Sequence, residues 1–482
     1  MLPRLWPAVL SLGWIILAMA AVQVLMALVA LAAGDGLATS FFVGASISAF
    51  LGGCAVLATR GRRFELHFRD AVLLTVGAWF VLPLFAAVPL LLDPLDLDPV
   101  DALFEMVSAI TTTGATVLTG LDRLPASMLL WRSTLQWLGG FGIIGLALVV
   151  LPFLKIGGMQ LFRLESSERG EKLLPRIQQI ARAVGQVYLG LTFLCFVVYL
   201  VLGMTPFDAL NHAMTTICTG GFSTHDASFG YFESAGIRWA GTIFMIAGGI
   251  PFIAYLRLVG RGSLRDRIDP QIPVFMIIII VASVAVAVAL VLGERRGIGS
   301  AVTEATFNIV SVITTTGYAT TDFLLWGEFA VFVFFLTMFV GGCSGSTSGG
   351  IKILRYQIIV GTITRHIRQT IYPHMVQPVR YGGKAIATEQ IVSVGVFVFV
   401  YLATVVVAAT LLSISGLDFL TSLSAAASGV GNVGPGLSTD IGPAGMFAGF
   451  SEFQKIVQTF AMVLGRLEII SVLVLFAPSF YR

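Results

Sequence analysis

The chain has 482 residues, of which 57% are hydrophobic and only 11% charged, with a mean hydropathy of +0.92. This excludes an ordinary soluble domain, which would carry about 25% charged residues. The net charge of +3 decides little, because in a membrane protein the distribution of charge matters more than its sum, and no nucleic-acid partner is expected.

Many segments run about 18 or more residues with almost no charge, the mark of transmembrane helices. The first, about Leu10 to Ala33, is longer than the apolar core of a cleaved signal peptide and is read as a retained helix. A second helix covers about 38–59, and residues 1–64 form an N-terminal helix pair. The cluster Arg60-Gly61-Arg62-Arg63, with His67 and Arg69, marks the cytoplasmic side and puts the N-terminus inside.

Four blocks follow, at 65–155, 156–262, 263–384 and 385–482. Each has a long helix, a short semi-apolar helix, a glycine-centred polar stretch and a second long helix. The long helices fall at about 70–92 and 128–152, 181–203 and 236–258, 271–292 and 325–366, and 388–413 and 452–476. The short ones fall at about 101–112, 208–218, 304–315 and 418–428. The stretches are Thr111-Thr112-Thr113-Gly114-Ala115-Thr116, Cys218-Thr219-Gly220-Gly221-Phe222-Ser223, Thr314-Thr315-Thr316-Gly317-Tyr318-Ala319-Thr320 and Ser428-Gly429-Val430-Gly431-Asn432-Val433. Aligned on Gly114, Gly221, Gly317 and Gly431, they place a carboxylate at one offset four times: Asp101, Asp208, Glu304 and Asp418. A fourfold internal repeat explains this recurrence. The carboxylates are read as N-caps of the short helices, where they accept orphan N–H bonds.

Positive charge gathers between the blocks, in Lys155 to Arg182, Arg257 to Arg267 and Lys352 to Lys384, with Glu294-Arg295-Arg296 as a local exception. This bias puts both termini and the inter-block segments in the cytoplasm and the glycine stretches toward the outer face. Short helices of about 11 residues cannot span about 30 Å of hydrocarbon and read as re-entrant pore helices. Their C-terminal dipole ends would favour a cation.

Non-helical backbone survives inside a membrane only where protein buries it or it lines a water-filled cavity. Four such stretches can surround one axis, with carbonyl oxygens replacing an ion's water. The ligating residues expected are Thr112, Thr113 and Gly114; Thr219, Gly220 and Gly221; Thr315, Thr316 and Gly317; and Val430, Gly431 and Asn432. None carries a carboxylate, which points to a monovalent, weakly hydrated ion. Asp122, Asp226, Asp322 and Asp440 are expected to ring the outer mouth. The fold expected is an all-α polytopic membrane protein: four repeats of long helix, pore helix and long helix around one central pore, plus two N-terminal transmembrane helices. Cys54, Cys195, Cys218 and Cys343 read as packing residues, with no disulfide framework.

The ThrThrThrGly and ThrGlyGlyPheSer loops, Gly431-Asn432-Val433-Gly434-Pro435-Gly436, the four repeats and the extra N-terminal pair resemble the Trk/Ktr/HKT superfamily of potassium transporters, in particular its TrkH-type subunits. The resemblance covers essentially the whole chain. It implies a filter with one glycine per repeat, K+ as the transported ion (Gly114 stands where some Na+-preferring relatives carry serine) and a bacterial cytoplasmic membrane. It further implies a homodimer and a peripheral TrkA-type partner that binds NAD(H) and adenine nucleotides, this chain holding no cofactor beyond K+. The basic inter-block segments are then a docking surface, or only topology signals and lipid contacts.

The run Gly341 to Gly350 breaks the third block's second long helix. The resemblance implies a gating loop there, with Gly345, Ser346, Thr347, Ser348 and Gly349 as its core. It also places Arg466 beneath the filter as an electrostatic brake; the alternatives are a pair with Glu468 or snorkelling. Three other functions match parts of the sequence. K+ symport coupled to H+ or Na+ fits discontinuous helices. Gly342-Cys343-Ser344-Gly345 resembles an intramembrane serine protease motif but lacks a base, so no enzyme is expected. Gly429, Gly431 and Gly434 match a dinucleotide fingerprint without its preceding strand.

Overall fold

Inside a bilayer only the chain itself can satisfy backbone N–H and C=O groups, so long apolar segments fold as helices. The computed structural model describes residues 6–61, 68–149, 173–258, 268–293 and 297–480. The basic runs at 155–172 and 259–267, and Glu294-Arg295-Arg296, lie outside the described residues. The N-terminal pair is α1 (Trp6–Ala33) and α2 (Ala38–Thr59). The first block holds α3 (Phe68–Ala87), α4 (Pro99–Ile110) and α5 (Ala126–Val149). The second holds α6 (Leu173–Val201), α7 (Pro206–Ile217), α8 (Ala235–Gly249) and α9 (Phe252–Leu258). The third holds α10 (Gln271–Gly293), α11 (Ile298–Ile313), α12 (Glu328–Met338) and α13 (Ile353–Ile371). After the two-residue strands β1 (Arg380–Tyr381) and β2 (Lys384–Ala385), the fourth holds α14 (Thr388–Ile414), α15 (Phe419–Gly431), α16 (Glu452–Arg466) and α17 (Ile470–Leu473).

Six helices among the described residues are long and apolar enough to cross a membrane, and a seventh span is counted if the bent pair after Glu452 is one. The chain is a mostly helical, multi-pass membrane protein. Leu25, Phe50, Phe193, Val281 and Phe399 lie exposed on its apolar flanks. The N-terminal pair is tied to the first block by polar groups, which hold helices together where the hydrophobic effect cannot. Ser48 donates to Gln23 Oε1 (2.8 Å), and Gln23 Nε2 donates to Phe85 O (2.9 Å).

The blocks interlock in a cycle. Each second long helix packs on the short helix of the next block: α5 on α7, α8 on α11, α12 on α15, and α16 on α4. Glycine pairs permit close backbone approaches along these helices. They are Gly139-Gly140, Gly248-Gly249 and Gly341-Gly342, with Gly465-Arg466 at the matching place in the fourth block. A Cβ on Gly139 or Gly465 would collide with the last carbonyls of α4 or α15, and one on Gly140 would strike Cys218 of the second block.

Four features differ from expectation. The second long helix of the second block is broken at Ile250-Pro251, because proline has no N–H to continue the ladder. That of the fourth turns through 101° where Glu468 and Ile469 take positive φ (57° and 33°). Of the four expected N-caps, only Asp418 caps its helix, accepting from Thr421 N at 2.9 Å. Asp98 caps α4 (Val100 N, 2.8 Å) and Thr205 caps α7 (Asp208 N, 3.1 Å). Asp101 sits inside α4 and pairs with Lys455 of α16 (2.5 Å); Asp208 is in the first turn of α7. Glu304 lies well inside α11, which starts a turn early after Gly297. In the first two blocks the cap lies three residues before the expected carboxylate, as far before Gly114 or Gly221 as Asp418 is before Gly434. Lys352 and Arg355, counted among the basic inter-block residues, are buried and do not belong to an exposed docking surface.

Candidate functional site

Each short helix ends in the same backbone gesture. One residue turns left-handed: Thr112 (φ 54°), Thr219 (50°), Thr315 (58°) and Asn432 (54°). The next N–H reaches back to a carbonyl inside the helix. Thr113 N donates to Ser108 O (2.9 Å), Gly220 N to Thr215 O (2.9 Å), Thr316 N to Ser311 O (2.8 Å) and Val433 N to Ser428 O (3.0 Å). A left-handed glycine follows: Gly114 (83°), Gly221 (79°), Gly317 (85°) and Gly434 (106°). The fourth member is therefore Gly434, not Gly431, which is the last residue of α15. Asn432 does there what threonine does in the other loops, since asparagine tolerates this conformation better than most residues.

The four glycines meet in a closed succession. A Cβ on Gly114 would overlap Gly220 O, one on Gly221 would overlap Thr316 O, one on Gly317 would overlap Val433 O, and one on Gly434 would lie 2.8 Å from Thr113 O. Each loop thus presses its glycine on the carbonyl that precedes the glycine of the next. Across the ring, a Cβ on Gly114 would sit 3.5 Å from Thr316 O. All four glycines line one cavity. Such a ring of backbone oxygens, free of carboxylates, can take the place of an ion's hydration shell.

Side chains from the short helices brace the loops from behind. Glu105, His212 and Asn308 hold equivalent places. Glu105 accepts from Thr116 Oγ1 (3.0 Å) and Val117 N (3.0 Å). His212 Nε2 pairs with Ser223 Oγ (3.0 Å), and Asn308 accepts from Thr320 N (3.2 Å). In the first block the brace is charged: Arg132 of α5 donates through Nε to Glu105 (2.7 Å), with both side chains buried.

On the other face of the ring lies the break between α12 and α13. Thr347 accepts from Thr219 Oγ1 (3.1 Å) and donates toward Ile217 O (3.1 Å). Gly349 N donates to Thr315 Oγ1 (2.8 Å), and Gly350 N to Gly431 O (3.0 Å). Gly345, Ser346 and Ser348 complete this run, folded against three of the four loops. Arg466 Nη1 donates to Thr347 O (2.9 Å), while its Nε and Nη2 are buried without partners among the described residues. The Arg466–Glu468 pair does not form, because Glu468 is taken by Arg355 (2.8 Å).

Of the four mouth aspartates, Asp226 lines the cavity and Asp122 binds His225 (2.5 Å) at its edge. That contact holds the Asp122 carboxyl below its usual range. Asp322 caps a turn (Leu324 N, 3.0 Å) and Asp440 is exposed beside Ile441, which lines the cavity. At the protease-like motif, Ser344 N is bonded to Gln271 (2.7 Å). His212 and His225 lie instead beside Ser223 and Asp122.

The sequence reading missed Glu105, Arg132 and Gln136. The signal was present: Arg132 and Gln136 stand four apart in an otherwise apolar helix, and polar groups at membrane depth usually face partners.

Residues 38–480 match the family model TrkH, described as a cation transport protein. The chain is 40% identical over 477 residues to the Trk system potassium uptake protein TrkI of Halomonas elongata, covering 98% of this chain and 96% of that one. It is 37% identical over 463 residues to the Trk system potassium uptake protein TrkH of Vibrio parahaemolyticus, covering 95% of each. The crystal structure of the potassium transporter TrkH from Vibrio parahaemolyticus superposes with a TM-score of 0.91, at 34% identity and 99% coverage of both chains.

Removing one member of a buried ion pair strands the other charge. Arg132→Ala is expected to destabilise the protein by about 3–5 kcal/mol, and a further Glu105→Gln change should recover part of that loss. Thermal unfolding in detergent checks both; an unaltered single variant would deny the pair its structural role.

Proposed function

We infer the function from the family: the chain belongs to the TrkH family of cation transport proteins. Its role is K+ uptake through a channel-like path. The observation that carries this reading is the closed succession of Gly114, Gly221, Gly317 and Gly434, each packed on a carbonyl of the next loop. Neutral backbone oxygens suit a monovalent, weakly hydrated ion better than a divalent one, which prefers carboxylates. The filter is then built from Thr112 to Gly114, Thr219 to Gly221, Thr315 to Gly317 and Asn432 to Gly434, with Thr219, Thr315 and Asn432 against the interrupted helix.

The segment Gly345 to Gly349 is the gate. It meets the ring through Thr347, which bonds Thr219 and Ile217, and through Gly349, which bonds Thr315, and it is held from the side by Gly248, Phe252 and Arg466. Arg466 sits behind it as a fixed positive charge on the ion's route. Its place in the repeat is glycine in the other three blocks, so the charge is a local addition to the shared plan. The family likeness also supports a homodimer in the bacterial cytoplasmic membrane, both termini inside, regulated by a TrkA-type partner that binds NAD(H) and adenine nucleotides.

Purified protein in liposomes tests the reading. Wild type should pass K+ down its gradient at fixed voltage whether or not a proton gradient is imposed; flux that requires the proton gradient would favour symport. Gly221→Ser, Gly317→Ser and Gly434→Ser should each lower K+ flux at least about tenfold, or about 1.4 kcal/mol, and flux insensitive to all three would remove the filter. Arg466→Ala should raise flux about tenfold or more, since a unit charge near the path costs a passing cation a few kcal/mol at an effective dielectric near 20. An unaltered rate in that variant would strip Arg466 of the brake.

A further inference from the structure

The glycine pairs on the four second long helices give a common ruler. Three residues before them stand Gln136, Met245, Met338 and Met462. Methionine is an adaptable apolar filler, and three blocks use it here. The first block alone has an amide. Gln136 is fully buried, and both ends of its amide are committed to the second loop. Nε2 donates to Gly220 O (2.7 Å) and Oε1 accepts from Phe222 N (3.1 Å), bracketing Gly221.

Gly220 O is one of the four ring oxygens. Thr113 O, Thr316 O and Val433 O accept no hydrogen bond from any described residue. One oxygen in four is therefore shared with a protein donor. A turn away, Arg132 Nη1 donates to Ser223 O (3.3 Å) and its guanidinium lies 4.0 Å over the Phe222 ring, so the seam between the first two loops is held from α5 along its length. Other seams are tied elsewhere, by the Tyr318 hydroxyl to Thr215 Oγ1 (2.5 Å) and by Asn432 Nδ2 to Thr113 Oγ1 (3.0 Å). Neither of those touches a ring carbonyl.

We propose that Gln136 is a specificity-determining positioning residue: by hydrogen-bonding Gly220 O from behind, it fixes one ring carbonyl in place and weakens its field, and so disfavours Na+ relative to K+. A smaller ion gains most from strong-field oxygens that can close around it. An oxygen tethered to a buried amide can neither move inward freely nor offer its full lone-pair density. Cavity size and field strength, the two accounts of carbonyl selectivity, predict the same direction here. The inference rests on the ring being the ion site.

The test measures K+ and Na+ flux through the full chain in liposomes and reads their ratio, which does not depend on how much protein is active. Gln136→Met installs the residue of the other three blocks and frees Gly220 O; the K+/Na+ ratio should fall about fivefold or more. Gln136→Glu keeps the size and the acceptor for Phe222 N, and its carboxyl can donate to Gly220 O only when protonated. Its ratio should fall as pH rises, over a range where wild type is flat. Gln136→Met with wild-type selectivity, or Gln136→Glu with a wild-type, pH-independent ratio, overturns the proposal; if one variant does not fold, the other decides. Wild type that passes no K+ would defeat the ion-site reading itself, whereas selective wild type with equally selective variants defeats only the role of Gln136.

Discussion

The structure depends on a steric constraint between backbones: four left-handed glycines, each in contact with a carbonyl of the following loop, with the fourth returning to the first. No side chain fits between them, so the cycle closes only if all four loops adopt one conformation. The rest of the fold supplies it. The short helices aim their ends inward, the second long helices wedge each short helix against the next block, and Ser108, Thr215, Ser311 and Ser428 receive the N–H that folds each loop back. A polar, irregular backbone is thereby held inside an apolar protein.

Symmetry of the backbone makes departures from it informative. Glycine pairs recur on three of the second long helices, and Arg466 replaces the second glycine on the fourth. Methionine recurs one turn before the glycine pairs on three, and Gln136 replaces it on the first. One of these helices is continuous as α5, one is broken by a proline, one by a glycine-serine run, and one turns sharply at Glu468. The shared framework builds the ring, and the exceptions give it a loop on one face, a buried cation bonded to that loop and an unequal carbonyl.

Much of this was legible in the amino-acid order. Apolar length announced the spanning helices, and recurrence of ThrThrThrGly announced the repeats. The fourth loop is ambiguous in sequence because Gly431 and Gly434 both lie in a glycine-rich run, and only the backbone angles separate them. The caps share that ambiguity: Asp98, Thr205 and Asp418 fall into line only when counted from Gly434, as do the hydroxyl residues Ser108, Thr215, Ser311 and Ser428. The break at Pro251 was readable from proline's missing N–H. The Arg132–Glu105 and Gln136–Gly220 contacts were not, because they join different helices or blocks, and only packing brings such residues together.

The central claim is that oxygens from all four loops bind one ion. Crystals grown in Rb+ or Tl+ and measured at an absorption edge test it most directly. The account predicts anomalous density on the axis enclosed by Gly114, Gly221, Gly317 and Gly434, within coordination distance of the Thr113, Gly220, Thr316 and Val433 carbonyls. Density confined to another part of the protein, with this position vacant in a protein that still carries K+, would contradict it.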